Sequence, residues 1–259
     1  MKNKLLLSFL TCLSSYIGWA QNKSSLALSL GPAIPVGEFA NKDGNDIKSG
    51  LANTGWLGEL SFSLPIRSSH FSVAAAITGR LNGIDQKASK APFEAEFPTY
   101  EWSVSNSHWK ALSAMAGATY LFPLSSKIDI GGTLLAGVAN TYLSTITVQG
   151  IRDTAHTYPT DLIQANVGKA HATTFSAMVK AGIVYHLNAR WNVLANVNFW
   201  YLQPTFRHVT QSVIIANGLI IPGYLSVNNA SSISYSTYTR DYKQNMNSVN
   251  FTAGVAFRL

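Results

Sequence analysis

Between Val249 and Leu259 the chain alternates without a break. Val249, Phe251, Ala253, Val255, Phe257 and Leu259 fall on one side; Asn250, Thr252, Gly254, Ala256 and Arg258 fall on the other. Successive side chains of a strand point to opposite faces, so the stretch predicts a strand with one apolar and one small or polar face. The same period recurs upstream over Ser25–Gly31, Thr54–Leu64, Phe71–Leu81, Trp109–Phe122, Ile128–Tyr142, Thr173–Leu187 and Trp191–Tyr201. About ten tilted residues cross the hydrocarbon core of a bilayer, and all but the first stretch reach that length.

The connections alternate too. Those after the second, fourth and sixth strands are short, at Pro65–His70, Pro123–Lys127 and Asn188–Arg190. Those after the first, third, fifth and seventh are long, at Pro32–Asn53, Asn82–His108, Leu143–Ala172 and Leu202–Ser248. This rhythm predicts an all-β fold, an eight-stranded antiparallel up-and-down transmembrane β-barrel with short periplasmic turns and long extracellular loops. Both termini then lie on the periplasmic side of a bacterial outer membrane.

Alternation does not say which face points outward, and a secreted lipocalin-like barrel would hide its apolar face. Two patterns favour the membrane. Glu59, Arg80, Lys180 and Arg258 share faces with Ser, Thr, Ala, Gly and Asn, as suits the crowded polar interior of a small barrel. Aromatic residues also gather at strand ends, as interfacial girdles do. Phe71, Phe122, Tyr185, Trp191 and Phe257 fall near the turns, and Trp56, Tyr142 and Tyr201 towards the loops.

Composition narrows the class further. Charged residues make up 12% of the chain, about half the share usual in a soluble domain. No segment after residue 20 is a continuous apolar run of about twenty residues, so helical spans are not expected. Lys2 and Lys4 precede an apolar run from Leu5 to Leu13, and Gly18-Trp19-Ala20 offers small residues for cleavage before Gln21. Residues 1–20 therefore read as a signal peptide and 21–259 as one barrel domain. Cys12, set mid-run behind Thr11, fits a lipidation site poorly, and its removal leaves no cysteine for disulfides. Without Lys2 and Lys4 the net charge falls from +7 to +5. The cations are scattered and form no patch, so no nucleic-acid partner is expected.

Leu28-Ser-Leu-Gly-Pro-Ala-Ile-Pro-Val-Gly-Glu-Phe39, Gly117-Ala-Thr-Tyr-Leu-Phe-Pro-Leu124, Gly182-Ile-Val-Tyr-His-Leu187 and Gly254-Val-Ala-Phe-Arg-Leu259 share a grammar of glycines, alternation and turn prolines. In these the chain resembles the small outer-membrane β-barrel proteins of Gram-negative bacteria, especially the family common in Bacteroidetes-type envelopes. The resemblance implies contact with outer-membrane lipid and lipopolysaccharide, and assembly by the barrel insertion machinery. Such barrels often end in an aromatic residue; here Leu259 is last and Phe257 stands two before it.

Candidate chemistry is sparse. His186 is expected to face inward one residue from a turn, where it hydrogen-bonds or meets water. His108, His156, His171 and His208 fall in long loops without the paired spacing of a zinc site, so no metal or cofactor is expected. His70-Phe71-Ser72 faintly resembles the His-x-Ser of outer-membrane lipid A deacylases, but it sits at a turn and lacks an acidic partner. No catalytic residue is nominated. The sharpest constellation is the inward set Glu59, Arg80, Lys180 and Arg258, with Glu59 expected to pair with one or more of the cations. It reads as an internal plug or, alternatively, as a selectivity element.

The long loops carry the rest. Ser212–Pro222 has two apolar arms around Asn217-Gly218, a hairpin signal. Ile214, Ile215, Leu219 and Ile220, with Tyr235 and Tyr238, form a candidate surface for an envelope protein or extracellular ligand. Tyr242 and Arg240 belong to the same polar-aromatic loop. Glu94 and Glu96, with Phe93 and Phe97, read as a solvated loop. The resulting expectation is a non-enzymatic barrel with a side-chain-filled lumen and a structural or surface-interaction role. The alternatives are a small pore or accessory transport component, and a lipid-modifying hydrolase or acyltransferase.

Overall fold

The structure, a computed structural model, describes residues 24–66, 69–153, 160–217 and 232–259. The expected signal segment, His156, Leu219 and Ile220 lie outside them. In chain order the strands begin β1 (Ser25–Pro35), β2 (Gly55–Pro65), β3 (Phe71–Gly83), β4 (Glu101–Val104), β5 (His108–Pro123) and β6 (Ile128–Leu143). They continue β7 (Ile146–Asp153), β8 (Thr160–Val167), β9 (Ala170–His186), β10 (Trp191–Leu202), β11 (Thr205–Asn217), β12 (Ser232–Lys243) and β13 (Ser248–Arg258). A helix, α1 (Gln86–Glu96), precedes β4.

Strands β1, β2, β3, β5, β6, β9, β10 and β13 close into an antiparallel barrel in which β1 pairs with β13. Each is long enough to span a bilayer, and their outward residues are apolar. Leu28 is 61% exposed and Leu134 63%, and the outer wall continues with Val73, Ile77, Val138, Val179, Val197 and Val255. Water would penalise such a wall at about 25 cal/mol per Å², whereas lipid does not. This is the inverse of a lipocalin-like barrel, and the fold is a transmembrane one. Aromatic residues rim the short-turn end, with the Phe71 and Tyr120 rings 4.9 Å apart and those of Trp191 and Phe257 5.0 Å apart.

Inward positions are small where neighbouring strands crowd. A Cβ on Gly31 would lie 1.8 Å from the Phe251 carbonyl oxygen, and one on Gly117 1.9 Å from that of Leu134. Only glycine permits those approaches, and they let the strands coil into so narrow a barrel.

The long connections hold more regular structure than alternation alone predicts. β12, β11, β8, β7 and β4 form a second sheet in that order, beyond the long-loop end. The stretch around Phe93 and Glu94 is not an open loop but helix α1, capped by the Asp85 carboxylate, which accepts from the Ala88 N–H at 3.1 Å. Of the hairpin expected around Asn217-Gly218, the arm after Asn217 lies outside the described residues. One edge of β11 pairs with β8 through Gln211–Ala216, and the other pairs with β12 through Asn217 opposite Ser232. Both edges of β11 are thus paired.

Candidate functional site

The loop-side half of the lumen is packed. Leu57, Met115, Met178, Trp200 and Leu202 point in from the barrel strands and are buried. Phe39 from a one-turn 3-10 helix (Gly37–Phe39), Phe206 from β11 and Met246 close over them, each fully buried. Trp109 donates its indole N–H to the Gly50 carbonyl at 2.8 Å, and Trp200 donates to the Ser176 hydroxyl at 2.8 Å. At the centre lies Arg80. Its guanidinium donates to the Ser248 hydroxyl at 2.7 Å and the Met246 carbonyl at 2.9 Å. The rings of Phe39 and Trp200 face it at 5.0 and 4.9 Å. A buried cation is costly without partners, and these two acceptors and two ring faces offset that cost.

Below Arg80, Lys180 donates directly to the Glu59 carboxylate, and both side chains are buried. The Thr78 hydroxyl adds a weaker contact to Glu59 at 3.4 Å. This pair floors a cavity of about 530 Å³ that fills the turn-side half of the barrel and reaches the rim at Pro65, His70 and Pro123. A lumen filled from end to end is therefore not what forms. Ser25, Ser29, Ser61, Ser63, Ser72, Ala74 and Ala76 line one side of it, and they are too small to meet across the axis.

At the cavity mouth sits His186. Its Nδ1 faces an Arg258 guanidinium nitrogen at 2.9 Å, and its Nε2 lies 2.9 Å from the Asp129 carboxylate. Arg258 has only N–H donors, so Nδ1 must accept and the ring hydrogen sits on Nε2, donating to Asp129. The Asn192 amide, turned with its nitrogen towards the ring, donates to Nδ1 at 2.9 Å and accepts from Arg258 Nε at 3.2 Å. The result is a carboxylate–imidazole–guanidinium row.

The four inward charges thus occupy three levels rather than one. Only Glu59 and Lys180 meet; Arg80 lies above them and Arg258 at the mouth. Charge alone does not reveal height along a strand. Asp129 was legible as an inward residue, since Ile128 and Ile130 flank it on the lipid side, yet nothing in its spacing announces His186 as its partner.

The candidate loop surface also divides. Tyr235 is 65% exposed and lies opposite Ile214. Tyr238, 51% exposed, points to the other face of β12. Ile215 is not an exposed contact: it packs on Trp102, Val148 and Ile163, which with Phe93 and Phe97 make a small core between α1 and the outer sheet. Tyr242 is half-buried and stacks on Phe206; burial, with Asp46 and Glu38 nearby, holds its hydroxyl above the usual tyrosine range. Arg152 pairs with Asp161 and lies over the Tyr100 ring. Asp85 sits below the ordinary carboxylate range because the Ala88 N–H stabilises its charge, aided by Lys42 at 3.3 Å.

His70 packs edge-on against Tyr120 while Ser72 points into the barrel, so the two do not form a dyad. Among the described residues no group of three or more His, Cys, Asp or Glu is placed to hold a metal.

No family model and no characterised protein sequence matches the chain. Solved structures do. Neisserial surface protein A is similar over 91% of this chain and 96% of its own, at 11% identity and a TM-score of 0.46. A major outer membrane protein from Thermus thermophilus is similar over 91% and 99%, at 9% identity and 0.44. Ail, the attachment invasion locus protein of Yersinia pestis, is similar over 92% and 99%, at 9% identity and 0.37.

Proposed function

We propose that the chain is a non-conducting, non-enzymatic barrel of a Gram-negative outer membrane, of the Bacteroidetes type, which works through the sheet it raises beyond the long-loop rim. The observation that carries this reading is the packed upper lumen, where Arg80 is clamped between Phe39 and Trp200. Both ends of the described barrel lie at the short-turn side, where the Leu259 N–H donates to the Ser24 carbonyl at 2.8 Å, as fits periplasmic termini. The apolar wall meets outer-membrane lipid, the long-loop rim meets lipopolysaccharide, and the barrel insertion machinery assembles the chain. The exposed run Ile233–Thr239 on the sheet-edge strand β12 offers Tyr235 and Tyr238 to an envelope protein or extracellular ligand.

The hydrolase reading lacks a nucleophile at the one histidine among the described residues that holds a carboxylate: His186 Nδ1 is occupied by Arg258 and Asn192. The test of the main reading is conductance in planar bilayers. The expected record has no resolved steps; well-resolved channels abolished by Arg80→Ala or Lys180→Met would establish the pore instead.

A further inference from the structure

Small barrels fill their interiors with side chains, so a hollow of about 530 Å³ on the turn side of the Glu59–Lys180 pair calls for a reason. It is a blind chamber, open at the short-turn rim and floored by that pair. Its size lies within the roughly 300–1,000 Å³ of small-molecule sites.

Its walls differ in chemistry. On the β1–β3 side stand Ser29, Ser61, Ser63 and Ser72, of which Ser29 is 4% and Ser72 5% exposed. Among the described residues none of these four hydroxyls has a hydrogen-bond partner, so each is free to donate and accept across the cavity. The opposite wall offers Leu121, Leu135, Val184 and Leu194, interspersed with the mutually bonded Thr119 and Thr133 and with Asn192 and Asn196. The charges, by contrast, are already engaged. Glu59 holds Lys180, and Asp129 and Arg258 hold His186. What remains unmet is a set of neutral hydroxyls facing aliphatic side chains set among neutral polar groups.

We infer that the turn-side chamber binds an uncharged polyhydroxylated small molecule, a mono- or disaccharide, admitted from the short-turn end. A pyranose presents hydroxyls at its edge and C–H groups on its face, the complement of the two walls. Among the described lining residues an ionic ligand would find no free counter-charge, and it would lose its hydration. The inference does not depend on the role of the outer sheet.

The test uses the full barrel in lipid nanodiscs, with methyl NMR reporting on Leu135, Val184 and Leu194. Leu57 and Leu202, in the packed half, serve as the internal reference. Glucose and maltose should give saturable shifts at the first three and none at the reference pair. Glucose 6-phosphate should bind at least about tenfold more weakly, because its charge must be desolvated unpaired. The Ser61→Ala/Ser72→Ala variant should weaken the sugars about tenfold, the worth of two lost hydrogen bonds. Ala74→Leu, which fills the chamber from β3, should abolish the shifts; unchanged Leu57 and Leu202 signals verify folding of either variant. The inference is overturned if neither sugar saturates, if the phosphate ester binds equally, or if binding survives both variants, each of which leaves a water-filled vestibule.

Discussion

On the loop side of the barrel, inward positions carry Leu57, Trp109, Met115, Met178 and Trp200, and they interlock around Arg80. On the turn side the same strands carry Ser61, Ala74, Gly131, Gly182 and Leu194, and a chamber remains. Backbone, twist and alternation are shared by the two halves; larger inward side chains, with Phe39, Phe206 and Met246 closing over them, separate a seal from a hollow. The halves also treat charge differently. Arg80 is held without a carboxylate, by hydroxyl, carbonyl and ring faces, whereas Lys180 is tied to the Glu59 carboxylate and Arg258 to the His186 imidazole.

The comparison breaks most visibly at Trp200. Replacing it with alanine removes a fully buried indole and should cost about 3–5 kcal/mol, read as a lowered midpoint in heat-modifiable gel migration. Leu194→Ala, at a chamber wall, should cost less than half as much, because the void it enlarges already exists. Equal losses would erase the distinction between the halves.

The Glu59–Lys180 floor comes next. Lys180→Met alone strands a buried carboxylate and should cost about 3 kcal/mol. Glu59→Gln added to it should restore most of that loss, since a neutral pair carries no desolvation penalty. A double-mutant cycle in urea measures the coupling; additive losses would mean that the pair does not close the chamber.

A smaller effect is expected at the mouth. Asp129→Asn keeps the shape but weakens the bond from His186 Nε2, at a cost of about 1 kcal/mol. The His186 ring nitrogen shifts in NMR should change while those of His70 do not.

The smallest effect lies outside the barrel. The folded-state pKa of Asp85 is depressed, chiefly by the Ala88 N–H. Its stabilisation of α1 is therefore complete above the unfolded carboxylate value, about 3.9. It is lost as pH falls through the folded value. Hydrogen exchange at Ala88 should speed up over that acid window, and Asp85→Ala should mimic it at neutral pH, at a cost of about 1 kcal/mol.

Much of this architecture was legible in the residues. Period-two runs such as Val249–Leu259 marked the barrel strands because every second position must face lipid. The outer sheet was not, since β7 and β8 carry Thr147, Gln149, Arg152 and Asp161 among their apolar residues and have no lipid face to enforce a pattern. Helix α1 left readable signs, an Asp85 cap and a Lys90–Glu94 pair at 2.7 Å, though Pro92 within it argues the other way. The lumen was the hardest part. Inward charges can be named from alternation, but their heights, and the choice of His186 for Arg258, depend on registers set by the closed ladder.

The division of the lumen is tested most directly by thiol accessibility, since the only cysteine in the chain lies in the expected signal segment at residue 12. Ser61→Cys places a thiol in the chamber, and Ser176→Cys places one in the packed half. In oriented proteoliposomes a membrane-impermeant maleimide should label residue 61 from the short-turn side only and residue 176 from neither side. Labelling of residue 61 from the long-loop side, or of residue 176 from either, would contradict a sealed upper lumen.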